Sequence, residues 1–146
     1  HDRYRRQRQM CIRDRCRVSS IMNPGSILSL LLSFVLLIIG LNWFFNPLSA
    51  ANSLNMNLFD GYGLNTQIRD FTSLFLATSI LCFISFITRQ YQWIFASGII
   101  FLTITTLHII VSLFYEAPIS VTSLIAEIIF FVIAFVASYY FKFKDT

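Results

Sequence analysis

Four apolar runs, at 27–45, 71–87, 93–114 and 119–141, constrain this chain more than any motif in it. The first is nineteen residues long, with Ser29, Ser33, Gly40 and Asn42 as its only non-apolar side chains. At about 1.5 Å per helical residue, such a run crosses a hydrocarbon core of roughly 30 Å. A soluble domain carries roughly 25% charged residues. Here the figure is 12%, which decides for a membrane protein over an unusually apolar soluble core. The expected fold is all-α: an integral membrane, antiparallel four-helix bundle forming one domain.

The formal charge of +4 does not describe the bundle. Seven of the eleven basic residues lie in 1–21; from Met22 onward Arg69, Arg89, Lys142 and Lys144 face five acids. No basic surface for nucleic acid remains. The stretch 5–15 has no apolar periodicity, and it back-translates into a transposase-type sequencing adapter over eleven consecutive codons. Residues 1–21 are therefore expected to be a non-native, disordered artefact preceding a frame that starts at Met22, and are set aside from fold reasoning. The rival reading is a basic arm for anionic lipid. Cys11 and Cys16 then form no pair or metal site. Cys82 is left as a buried apolar residue without a Cys-x-x-Cys partner.

Turn chemistry divides the runs. Asn46-Pro47 ends the first after Trp43-Phe44-Phe45, which reads as an interfacial aromatic anchor. The connection 48–68 is rich in Asn and carries the turn signal Asp60-Gly61-Tyr62-Gly63; Leu54, Met56, Leu58 and Phe59 suggest a short interfacial helix. Residues 88–92 read as a tight hairpin. Pro118 is placed at the start of the fourth helix, where its missing N–H costs nothing. Arg89, Lys142 and Lys144 fall on one side of a four-span chain, so that side, with both termini, is expected to be cytoplasmic. The expected partner is the lipid bilayer; a membrane protein partner or a homo-oligomer is also open.

Ionisable groups inside spans cost a few kcal/mol each even on mild insertion scales. Two lie inside, His108 and Glu127. Counted from the outer helix ends they sit about 9 Å and about 12 Å deep. Arg69 and Asp70 stand at the mouth of the second run, in the same half. Helical spacing groups His108 with Thr105, Ser112 and Tyr115, Glu127 with Ser123, Ala134 and Ser138, and Asp70 with Ser73 and Ala77. The expected site is an outer-half polar cluster of Arg69, Asp70, His108 and Glu127. It either fixes helix register or lines a pocket for a small ligand, a headgroup or a proton; Glu127 protonated and unpaired, or facing a partner subunit, is a third option. No spacing supports a metal site, no cofactor is implied, and no phosphate loop, serine elbow or paired His ligands point to an enzyme.

The Phe44-Phe45-Asn46-Pro47 end of the first run, the Ile68-Arg69-Asp70-Phe71 head of the second and the acid in the fourth resemble small bacterial DoxX-like four-helix membrane proteins. The resemblance covers 27–141. It implies a multi-pass protein of the bacterial inner membrane with Arg69 and Asp70 at a marked position. Some such proteins are subunits of quinone-linked redox complexes; others have no assigned activity. The expectation is a non-enzymatic accessory subunit or small-ligand binder, with a quinone-linked subunit docking near His108 as the alternative. A proton-coupled transporter is disfavoured, because the chain holds no inverted repeat.

Overall fold

The computed structural model describes residues 23–144, and the stretch 1–21 lies outside them. Asn23 starts the first helix, α1 (Pro24–Phe45): its side chain accepts from the Gly25 N–H at 3.1 Å, with Pro24 in the first helical position. Pro47 cannot continue the α1 ladder and instead opens a seven-residue helix, α2 (Pro47–Ser53). Two long helices follow, α3 (Tyr62–Thr88) and α4 (Tyr91–Tyr115), joined through Arg89 in the left-handed conformation. The last is α5 (Val121–Lys144). Four of the five, α1, α3, α4 and α5, are long and apolar enough to cross a membrane.

Each long helix packs against two others, so the four form a ring in the order α1, α3, α4, α5. Successive long helices run antiparallel, and the first turn of α1 meets the last turns of α5. A Cβ on Gly25 would lie 3.0 Å from the Ala137 carbonyl oxygen and 3.1 Å from Tyr140 Cβ. Small residues set the other interfaces at this end. Ser29 Oγ donates to the Cys82 carbonyl at 2.6 Å, and Ser33 and Ser79 exchange side-chain to backbone bonds at 2.9 and 2.8 Å. Gly98 lets α4 approach Ala134 on α5, where a Cβ would sit 3.3 Å from the alanine methyl. Close packing and interhelical hydrogen bonds join these helices, the interactions that small residues make possible between apolar helices. Arg89 donates to Ser26 across the same end.

Several boundaries differ from the sequence reading. The second span begins at Tyr62, nine residues before the apolar run, because Gly61 turns the chain at φ +59° and the polar turn after it is already helical. The short helix between the first two spans lies at Pro47–Ser53, where Pro47 starts it, and not over Leu54–Phe59. Pro118 falls in the turn before α5; the Ser120 carbonyl takes the first helical bond there, from Leu124 N at 3.0 Å. The tight connection expected over 88–92 is present but shorter: Arg89 and Gln90 alone join α3 to α4, which begins at Tyr91 and not Trp93.

Candidate functional site

Leu32, Leu36, Cys82, Ile94, Ala134 and Ala137 fill the bundle at the end holding Gly25 and Arg89. Toward the other end the filling stops at Phe101 and Phe130, whose rings lie 5.2 Å apart. Beyond them a cavity of about 800 Å³ opens between all four long helices, α2 and the α4–α5 turn. That is the size range of small-molecule sites. Its wall is mainly apolar: Ile38, Ile39, Trp43, Phe71, Leu74, Phe75, Ile104 and Leu107. The polar groups on it are Asn42, Ser53, Asn55, His108, Ser112, Ser120, Ser123 and Glu127.

His108 and Glu127 meet on this wall because α4 and α5 keep one antiparallel register along their interface. Gly98 opposes Ala134 and Phe101 opposes Phe130; beyond them His108, two turns further along α4, reaches back to Glu127, one turn from Phe130 on α5. His108 Nδ1 stands 3.3 Å from both carboxylate oxygens. In the tautomer that carries Nδ1–H, that hydrogen is shared between Oε1 and Oε2. The side chains are 21% and 17% exposed, neither sealed in the core nor free in solvent. Among the described residues Nε2 of His108 has no protein partner, which leaves it for an occupant of the cavity.

The other half of the expected cluster lies elsewhere. Arg69 Nε donates to Asp70 Oδ1 at 2.9 Å, the side chains being 66% and 59% exposed. Neither lines the cavity, and among the described residues no ion pair joins them to His108 or Glu127. The reason is helical phase. The face of α3 that turns to the cavity carries Phe71, Leu74 and Phe75. At about 100° per residue Arg69 falls nearly opposite that face, and Asp70 about a quarter-turn from it. Ser73 and Ala77, grouped with Asp70 by spacing, are exposed like it and mark no interface.

The remaining stripe residues divide. Ser112 and Ser123 line the cavity as their spacing implied, and Ser112 Oγ also donates to the Ala117 carbonyl at 2.7 Å. Ser120 Oγ donates to the Leu54 carbonyl at 3.3 Å, tying the α4–α5 turn to the chain after α2. Thr105 instead bonds back to Phe101, and Tyr115 projects outward. Trp43 is a correction: read as an interfacial anchor, it is 1% exposed and stacks on Phe71 at 4.4 Å between ring centroids. Its neighbours Phe44 and Phe45 are the exposed pair. Nothing local in the sequence separates the three, because their burial depends on where α2 folds back; Ala50 and Ala51 cover Trp43.

Gln67 is a further residue that sequence reasoning passed over. It is buried and holds the α2–α3 connection from inside, accepting from Phe59 N at 3.0 Å and donating to the Asn57 carbonyl at 3.3 Å. Among the described residues no three His, Cys, Asp or Glu side chains gather as a metal site would require. No protein family, curated protein or solved structure matches the chain.

Proposed function

We propose that this chain is a small multi-pass protein of a bacterial inner membrane, related to DoxX-like bundles, that binds a small and largely apolar molecule between its helices. It acts without catalysis, as an accessory subunit or ligand binder. The observation that carries the reading is the cavity of about 800 Å³, apolar over most of its wall, with the His108–Glu127 pair set into it. Such a pocket with few polar groups is the usual form of a small-molecule site, the polar groups fixing orientation. Both termini are assigned to the cytoplasm, supported by Arg89, Lys142 and Lys144 gathering at their end of the bundle.

Trp43 on the wall gives the test. In a Trp93→Phe background its fluorescence reports occupancy of the cavity in lipid nanodiscs. A neutral aromatic probe, triphenylmethanol, is expected to change it saturably. Ala126→Phe, which fills the cavity from α5 without adding a second fluorophore, should remove the change. An unchanged signal, or one that Ala126→Phe leaves intact, would count against the reading.

A second reading is a subunit of a quinone-linked redox complex. It is favoured by Nε2 of His108 on the wall of an apolar cavity: with Nδ1–H turned to Glu127, Nε2 of the neutral ring accepts from a quinol hydroxyl, and Nε2–H of the protonated ring donates to a quinone oxygen. Short-chain ubiquinone should then compete with triphenylmethanol, and His108→Ala should weaken the quinone alone.

A further inference from the structure

The charges near the cavity are lopsided. Its wall carries the Glu127 carboxylate and no lysine or arginine. Asp60 and Glu116 stand in the two connections at the same end, and Asp70 is paired with Arg69 on the outer face of α3. Arg89 and Lys142 are at the far end of the bundle. Among the described residues, the end that holds the cavity thus carries four acids and one arginine. His108 is the one cavity group that can supply positive charge beside Glu127, and it also serves as a neutral donor through Nδ1.

The uncharged part of the wall points the same way. Trp43, Phe71, Phe75, Phe101 and Phe130 are all on its lining; Trp43 and Phe101 are buried behind the others, so the ring surface nearest an occupant is that of Phe71, Phe75 and Phe130. Aromatic faces are the negative pole of the ring quadrupole, and rings gathered about a space attract an organic cation. A carboxylate among rings, in a site screened from water, discriminates by sign. An anionic head would be left beside Glu127 with His108 alone to meet it, whereas a cationic head gains both the carboxylate and the rings.

We infer that the cavity takes a lipophilic cation, an amine or quaternary ammonium on an apolar body, with its charge beside Glu127 and its body among the aromatic rings. This rests on the cavity being a ligand site, and it excludes fatty acids and phosphate-bearing lipids as the preferred occupant. The acids at that end raise the local concentration of cations and so favour capture from that side.

Tetraphenylphosphonium and tetraphenylborate test it, being matched in shape and apolar surface and opposite in charge. Binding of each to the full chain in nanodiscs is measured as the excess over empty nanodiscs, with triphenylmethanol as the neutral comparison. The phosphonium is expected to bind saturably and at least about tenfold more tightly than the borate. Glu127→Gln should erase the difference. Ser123→Lys, which puts a fixed cation on the wall one turn from Glu127, should reverse it, so the test does not hang on one variant folding. Equal binding of the two ions, or preference for the borate, overturns the inference. Binding of triphenylmethanol with no phosphonium binding overturns it too, while leaving the ligand-binding reading in place. If none of the three binds, both fall.

Discussion

His108 Nδ1 lies equidistant, at 3.3 Å, from the two carboxylate oxygens of Glu127 on the neighbouring helix. The contact is long for a charge-assisted bond and shared, so it positions both groups without locking either. A wall built this way can exchange a protein partner for a ligand with little rearrangement.

The pair also links α4 to α5. Removing either member leaves the other partly buried without its partner, at a cost of about 1–3 kcal/mol. His108→Ala and Glu127→Ala are expected to destabilise the bundle individually by that amount. The double variant should cost clearly less than their sum. Reversible unfolding in mixed micelles measures the cycle; strict additivity would mean that the contact carries no coupling.

Helix approach at the closed end depends on missing side chains. Gly25→Val and Gly98→Val push α5 away from α1 and α4, because their Cβ atoms would already stand 3.0 and 3.3 Å from Ala137 O and Ala134 Cβ. Each should cost about 1–3 kcal/mol by overpacking. Gly61→Ala is expected to destabilise for a different reason. Nothing lies within 4 Å of its Cβ position, but φ +59° with ψ −127° is open to glycine alone. Thermal denaturation of the three variants compares the two causes.

Cys82 is fully buried between α1 and α4, its Sγ 3.5 Å from Ser97 Oγ. With Cys11 and Cys16 changed to Ser, a water-soluble maleimide should leave the folded protein unmodified and label it after unfolding in SDS. Rapid labelling of the native protein would place water in the closed end of the bundle and contradict its packing.

Single cysteines at two exposed connections test the assigned orientation. Asn57→Cys lies in the α2–α3 connection and Gln92→Cys in the first turn of α4, at opposite ends. In intact cells an impermeant maleimide is expected to reach Asn57→Cys alone. Labelling of Gln92→Cys alone would invert the topology.

Gln67 holds the α2–α3 connection through two backbone groups, at Phe59 and Asn57. Gln67→Ala should loosen that connection while leaving the four long helices in place, with a loss of about 1–2 kcal/mol. Limited proteolysis should then cut near 57–61 faster than in the unaltered chain; an unchanged rate would mean that other contacts hold this segment.

Several of these features were legible in the amino-acid sequence, and the reason is physical. A chain segment that must satisfy its backbone within lipid has to be helical, and its apolar length sets its span, so the four long helices follow from hydropathy. The shared level of His108 and Glu127 follows from counting along antiparallel helices. That is why the pair could be expected before the structure placed it.

Hydropathy is blind to helix that is not apolar, so it missed the first turns of α3 from Tyr62 onward. It is also blind to phase. Arg69 and Asp70 share a level with the cavity mouth, but the face of α3 that turns inward is chosen by Trp43 stacking on Phe71 and by Gly40 admitting Phe75 and Leu76. Those contacts lie between residues far apart in the chain. The sequence by itself determined the helices, their alternation and that His108 and Glu127 share a level of the bundle. Tertiary packing alone decided which faces look inward, that one end closes on small residues while the other leaves about 800 Å³, and that the arginine stays outside.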